Sequence, residues 1–231
     1  MKKLSLLTLL VLLLCAACDK PAPKPTPENP NTPDTPAAPP ANPEKEWMVK
    51  RMTIDATDYT KWVYLNFATG ELVQVTDPAN DLSWDLGLHR YDFKTNGGES
   101  GVGKGAAVRI SKQKILTEEI PTPKDTQWEL DRQGQLLMQF EDDGLGSHRT
   151  KYEMQEANFL LSSECDGSGG FLNKGIITQE GMPPQVYIDN AIFLIRTASG
   201  EIVRLRVLDF QDNKKHRGYI TIQYAMLVDK K

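Results

Sequence analysis

The sequence predicts an all-β protein built mainly of antiparallel strands. From residue 51 onward, apolar and polar residues alternate along several segments, which is the period of a strand with one buried face. Short glycine-containing runs separate these segments, as is typical of hairpin turns. No stretch of twelve residues sustains an amphipathic helix, and Pro121 and Pro123 interrupt segment 118–124. We therefore expect strands with at most one helical turn.

The first predicted elements form a hairpin followed by a further strand. Residues 62–75 contain two apolar segments on either side of a turn that includes Gly70. Next, four apolar residues alternate strictly with four others, Leu82, Trp84, Leu86 and Leu88 with Ser83, Asp85, Gly87 and His89. This alternation predicts a half-buried strand with His89 on the solvated face.

The last predicted elements are three strands near the C-terminus. Residues 187–196 and 202–210 are rich in Ile, Val, Leu and Phe, and they flank a turn that contains Gly200. Residues 218–228 alternate between two faces and supply the final strand. His216 lies in the charged turn that precedes this strand, where we expect it to be solvated.

A glycine-rich run at residues 96–105 superficially resembles a phosphate-binding loop. It lacks the Gly-Lys-Ser/Thr ending of that motif, and no helix is predicted after it. A flexible loop between two strands is the better interpretation.

The N-terminal residues 1–17 have the pattern of an export signal. Lys2 and Lys3 precede an apolar stretch that ends in small residues. Cys18 follows Ala16 and Ala17, as in bacterial lipoproteins, where this cysteine becomes the lipidated first residue of the mature protein. Ordinary cleavage, with Cys18 unmodified, is the alternative.

Residues 18–46 are expected to form a proline-rich linker behind the lipidated cysteine. Residues 19–46 hold ten of the fifteen prolines and no aromatic residue, Leu, Ile or Val, so they cannot bury enough surface to fold. Such a segment favours an extended polyproline II conformation. Residues 47–231 then constitute a single β-rich domain, attached to a membrane by lipid without spanning it.

Charge and cysteine content exclude several functions. The domain holds 22 basic and 26 acidic residues, so it lacks the basic surface on which nucleic-acid binding depends. Once Cys15 is cleaved off and Cys18 is modified, Cys165 has no partner for an intramolecular disulfide. It is expected to be an incidental thiol.

No catalytic constellation can be recognised. The three histidines are His89, His148 and His216, and no nucleophile has a base at a familiar spacing. We therefore predict a binding protein rather than an enzyme.

Two methionines, Met154 and Met182, lie in sequence surroundings that are unusual for this residue type. Met182 precedes two prolines that restrict its loop, and Met154 follows a glycine-containing tip at residues 142–150. Spacing alone favours burial of both side chains in the core. However, a thioether is also a soft ligand for haem iron, and imidazole is another common one.

The sequence resembles the HmuY family of haem-binding surface lipoproteins. The matching segments cover most of the domain: TIDATDY at 53–59, WVY at 62–64, NDLSWDLGLHRYD at 80–92, NGGESG at 96–101, GKG at 103–105, DNAIFLIR at 189–196 and DFQD at 209–212. The resemblance implies an all-β fold in which two protruding β lobes clasp a haem and ligate its iron from both sides. It further implies an outer-membrane lipoprotein, exposed at the cell surface and also shed, that captures haem for iron acquisition and passes it to an outer-membrane receptor.

The resemblance leaves the axial ligands open. The first position falls on His148 and the second on or near Gln179, so a pair of histidines is not reproduced. Other family members are similar but use methionines, which suggests Met154 with Met182 as the preferred pair and His148 with Met182 as the alternative. His148 and Met154 would lie ~20 Å apart on an extended strand, so they cannot ligate one iron together.

The main alternative function is a surface lipoprotein that binds a glycan or a host protein without haem. Exposed tryptophans would favour glycan binding, but Trp62 and Trp84 are expected in the core, and Trp47 and Trp128 are undecided.

Overall fold

The computed structural model describes residues 44–110, 115–142, 148–181 and 185–230, with backbone only for 140–142, 148 and 149. Thirteen strands and one 3-10 turn, Asp125–Gln127, lie within these ranges. Every pairing between these strands is antiparallel, which confirms the predicted fold class. The described residues belong to one compact unit. The described part of the chain contains no helix with the length and apolarity needed to cross a bilayer.

A five-stranded sheet forms one layer, with the strand order β1-β13-β12-β11-β6. Its strands are β1 (Lys45–Asp55), β6 (Ala106–Ile110), β11 (Ile192–Arg196), β12 (Ile202–Gln211) and β13 (Arg217–Asp229). The pairing of β1 with β13 is unbroken from Lys45↔Asp229 to Asp55↔Tyr219. The three predicted C-terminal strands are therefore confirmed, and the first of them is divided at residues 189–191.

A four-stranded sheet packs against the first, with the order β3-β2-β4-β5. Its strands are β2 (Val63–Asn66), β3 (Glu71–Val73), β4 (Leu86–His89) and β5 (Asp92–Thr95). The predicted hairpin is present as β2 and β3, and Gly70 has a φ of 70° in its turn. Leu65, Phe67 and Phe93 join Phe193 and Tyr224 of the larger sheet in one buried cluster. Burial of such side chains stabilises the fold by roughly 1.5–3 kcal/mol each.

The predicted half-buried strand at 82–89 is wrong in two respects. The strand begins only at Leu86, and Leu82 lies outside it with 58% of its surface exposed. Both faces of β4 are buried, and His89 is 0% exposed rather than solvated. Its Nε2 lies 2.9 Å from the carbonyl oxygen of Tyr59, and its ring packs 5.4 Å from that of Trp62.

The glycine-rich run connects β5 with β6 and is tightly packed, which the prediction of a flexible loop did not anticipate. The buried Asn96 amide donates to the carbonyl oxygens of Asp81 and Trp84 at 2.7 and 2.9 Å. A Cβ at Gly97 would come within 2.1 Å of the Gly105 carbonyl oxygen, so a side chain cannot be accommodated there. This run is structural, because its glycines let two backbone segments touch.

Two further hairpins complete the fold. The longer consists of β7 (Arg132–Asp142) and β8 (His148–Ala157), and the shorter of β9 (Ile177–Glu180) and β10 (Gln185–Ile188). The buried Leu136, Ala157 and Phe159 attach the base of the longer hairpin to the body, with the half-buried Trp62 packed against them.

Candidate functional site

A cleft that opens to solvent lies between the two hairpins. The longer hairpin contributes Leu137 and Tyr152, and β9 contributes Ile177 and Gln179. The cavity volume of this cleft is about 60 Å³. The described residues therefore form a narrow inner end of the cleft. The connections at the two hairpin tips, 143–147 and 182–184, lie outside the described residues.

The longer hairpin positions the predicted site residue Met154 and the cleft residue Tyr152. Tyr152 pairs with Leu137 across the ladder, and Met154 pairs with Gln135. A register shift between Leu137 and Gln139 marks a bulge, which bends and twists a hairpin locally. Met154 lies on the same face of β8 as Tyr152, because side chains two apart share a face. It is 54% exposed, so burial in the core, which spacing alone favoured, is wrong for Met154.

His148 is the first residue of β8 and pairs with Asp142 next to the tip. Its side chain lies outside the described part of the structure, as does the whole of Met182. In the sequence, Met182 falls between the end of β9 at Glu180 and the start of β10 at Gln185. The extended β8 separates His148 from Met154 by six residues, ~20 Å along the strand.

Gln179, on which the resemblance places the second axial ligand, lies in the cleft and is half-buried. Its amide oxygen is a hard ligand and suits haem iron less well than a thioether or imidazole. The structure thus brings Gln179 and Tyr152 to one cleft. Met154 lies two residues further along the same strand as Tyr152.

The turn between β4 and β5 forms another wall of the cleft. Arg90 and Tyr91 are the two residues of this turn, and Asp92 begins β5. The Arg90 guanidinium carbon lies 4.1 Å from the centre of the Tyr59 ring, which also lines the cleft. Burial raises the pKa of the Asp92 carboxyl, which lies 4.0 Å from Nδ1 of the buried His89.

The segment after β8 supplies the remaining wall. Ser163, Cys165 and Phe171 line the cleft, and Cys165 forms an isolated β-bridge with Phe171. Burial raises the pKa of the Cys165 thiol to about 11, so the nucleophilic thiolate is disfavoured. This agrees with the expectation of an incidental thiol.

Sequence reasoning did not assign the turn residues Tyr59, Arg90 and Tyr91 to the site. A signal was present, since Arg90-Tyr91 falls between two apolar segments where a hairpin turn usually carries Gly or Asn. Among the described residues, no three His, Cys, Asp or Glu side chains come together in an arrangement that could hold a metal ion.

The described tryptophans offer little surface for stacking a sugar. Trp84 is fully buried, and Trp62 is half-buried beneath Lys94. The guanidinium carbons of Arg204 and Arg196 lie 3.9 and 4.3 Å from the ring centres of Trp47 and Trp128.

Solved structures share this fold. An apo HmuY analogue of Tannerella forsythia is 18% identical, with a TM-score of 0.57 over 80% of this chain and 98% of that one. A candidate HmuY-like haem-binding protein of Bacteroides vulgatus is 19% identical, with a TM-score of 0.55 over 76% and 90%. A candidate lipoprotein of Bacteroides fragilis is 21% identical, with a TM-score of 0.53 over 76% and 88%. At these identities the likeness concerns the fold alone.

The sequence itself identifies the family. No curated protein matches the chain. The family model for the HmuY protein, however, matches residues 58–224, which include both sheets' central strands and both hairpins around the cleft. The match covers well over half of the chain, so the protein belongs to the HmuY family.

Proposed function

We propose that this chain is a haem-binding lipoprotein that captures haem between its two hairpins for iron acquisition. The observation that carries the proposal is the cleft between β7–β8 and β9–β10 in a chain of the HmuY family. The protein would act by binding and release, without a catalytic step, and would pass haem to an outer-membrane receptor.

The residues in the cleft fit a haem. Leu137 and Phe171 offer apolar surface to a macrocycle, and Tyr152 adds an aromatic face. Ligand sites typically combine mainly apolar walls with a few polar groups, as this cleft does. Because the described inner end is narrow, we expect the hairpins to move apart when a porphyrin enters.

Met154 and Met182 are our preferred axial ligands, with His148 and Met182 as the alternative pair. Met154 supports this choice because it is exposed on the hairpin, available to a ligand, and not committed to the core. Met182 belongs to the connection of the other hairpin, so the two thioethers come from different lobes. The bound iron would supply two axial coordination positions, and a thioether favours its ferrous state more than imidazole does.

Cys18 is the proposed lipidation site, and the proline-rich residues 19–46 would hold the domain away from the outer membrane. A relative of the same fold, the Bacteroides fragilis protein, is itself a candidate lipoprotein. We propose display at the cell surface, with a shed form. Protease treatment of intact cells checks this, since a domain that stays protected would contradict surface display.

A haem titration tests the proposed function. Haemin is added to the full chain with and without dithionite, and the Soret band is followed. We expect a shifted Soret band and saturation near one haem per chain. Unshifted spectra in both redox states would contradict haem binding and leave the alternative, a lipoprotein that binds a glycan or a host protein.

A further inference from the structure

The turn that joins β4 to β5 is strained where it meets the cleft. Arg90 has a φ of 54° at the first central position of a two-residue hairpin turn, where glycine is usual. Among the described non-glycine residues, only Lys215 shares a positive φ. Strained residues of this kind persist when their surroundings hold them, and they concentrate at ligand sites.

The Arg90 guanidinium is held in place by its neighbours, but one of its N–H donors has no hydrogen-bond partner among the described residues. Nη1 donates to the carbonyl oxygens of Thr57 at 3.1 Å and Arg217 at 3.3 Å, and the group stacks on Tyr59. Nε is buried and has no hydrogen-bond partner among the described residues. One donor of a rigid cation is therefore left for a group that this chain does not supply.

The neighbouring Tyr91 also has a buried polar group without a hydrogen-bond partner among the described residues. It is 7% exposed and lines the cleft, yet its buried hydroxyl has no partner among the described residues. An unpaired buried hydroxyl is costly and rare in a native protein. The Arg90 guanidinium carbon lies 5.6 Å from the centre of the Tyr91 ring, so the two side chains are neighbours in the wall of the cleft.

The local charge favours an anion, against the trend of the acidic domain. Arg90 is the only basic side chain among the described cleft residues, and Arg217 also acts on the Tyr91 hydroxyl electrostatically. Asp92 is the only acidic one, and burial raises the pKa of its carboxyl.

We propose that Arg90 Nε and the Tyr91 hydroxyl form a carboxylate-binding site that receives one propionate of haem. This assignment rests on the proposed haem function and adds the orientation of the ligand. A carboxylate is the matching occupant because it accepts hydrogen bonds from both donors and neutralises the guanidinium. The site would direct one propionate-bearing edge of the porphyrin towards the β4–β5 turn.

The test compares haemin with haemin dimethyl ester, which keeps the iron and macrocycle but lacks the carboxylates. Both are titrated in the same detergent against the full chain and its variants. Arg90→Gly removes the cation and suits the positive φ, so it should fold. Lys215→Gly makes the same change in the turn between β12 and β13, at a residue that does not line the cleft. Tyr91→Phe removes the hydroxyl alone.

We expect the wild type and Lys215→Gly to bind haemin about tenfold more tightly than the ester. Arg90→Gly should lose this preference by weakening haemin binding only, and Tyr91→Phe should reduce it severalfold. Equal binding of both compounds by the wild type, or an unchanged preference in Arg90→Gly and Tyr91→Phe, would overturn the site while haem binding stands. A wild type that binds neither compound would overturn both proposals.

Discussion

The ammonium nitrogen of Lys94 lies 4.5 Å from the centre of the Trp62 ring. The rings of Tyr64 and Trp84 lie 5.2 and 5.7 Å from the same nitrogen, so three aromatic side chains surround one cation. Lys94 is 5% exposed, and Trp62 also packs against the base of the longer hairpin. The cluster of Lys94 with these three rings therefore connects the four-stranded sheet to a wall of the cleft.

We expect Lys94 to make the free energy of unfolding depend on pH in the alkaline range. Burial lowers its pKa to about 8 from 10.5 in the unfolded chain. Between these values the unfolded state binds more protons, so the free energy of unfolding rises with pH, by up to about 3 kcal/mol. Urea unfolding at pH 7–10.5 should show this rise in the wild type and not in Lys94→Met. Parallel curves for the two proteins would exclude a depressed lysine pKa.

Among the buried acids of the described residues, we expect substitution of Asp131 to lower the free energy of unfolding most. Its carboxylate accepts hydrogen bonds from the Thr95 amide at 2.7 Å, the Thr95 hydroxyl at 2.6 Å and the Asn158 amide at 2.9 Å. Asp131→Ala removes the acceptor of both Thr95 donors and one of the two acceptors of the Asn158 amide, and should cost about 3 kcal/mol or more. Thr95→Val removes one donor and should cost about 1 kcal/mol. Similar unfolding free energies for both variants would contradict this role.

Asp131 also gives an acidic pH dependence of opposite sign. Burial raises its pKa to about 6 from 3.8. Between pH 4 and 6 the folded state binds more protons, so its contribution to stability is complete below pH 4 and declines as the pH rises to 6. The destabilisation by Asp131→Ala should thus be larger at pH 4 than at pH 7 in urea unfolding experiments. A constant difference would mean that the carboxyl titrates normally.

The axial ligands can be separated by spectra of three variants. For a methionine pair, Met154→Ala and Met182→Ala should change the Soret band and weaken binding of reduced haem more than oxidised haem. His148→Ala should then have little effect, whereas it would replace Met154→Ala as the sensitive variant for the mixed pair. Unchanged spectra in all three would remove this ligand assignment.

The apolar wall of the cleft can be tested with two neighbouring residues. Phe171 lines the cleft and is 40% exposed, whereas Leu172 is 68% exposed and does not line it. Phe171→Ser should weaken haem binding about tenfold through lost apolar contact, and Leu172→Ser should leave it nearly unchanged. Both should retain the wild-type melting temperature within a few degrees. Equal affinities in a Soret titration would place the macrocycle elsewhere.

Alternation predicted most of the fold but misjudged β4. It identified the hairpin around Gly70 and the C-terminal strands, because period-two patterns record which face is buried. His89 was misassigned since a polar residue opposite Leu86 and Leu88 suggests solvent. The burying groups, Trp62 and the Tyr59 carbonyl, come from a preceding loop whose path no local pattern reveals.

The candidate site was predictable only in part for a similar reason. Met154 can be selected from the sequence because of its residue type. Arg90 and Tyr91 are candidates only because each has a buried polar atom without a partner among the described residues, and the sequence does not reveal this. The distance between the two hairpins depends on how each of them packs on the body of the protein, and not on spacing along the chain.

The long pairing of β1 with β13 has a mechanical consequence. In the tethered form that we propose, a pull on the linker enters the fold at β1, beside the pair Lys45↔Asp229, and a pull along the strand would draw β1 lengthwise past β13. Hydrogen bonds perpendicular to the pull share the load in shear, instead of opening one at a time as in a peeled hairpin. The strand that receives the tether is thus built to resist drag at the cell surface while the hairpins around the cleft move.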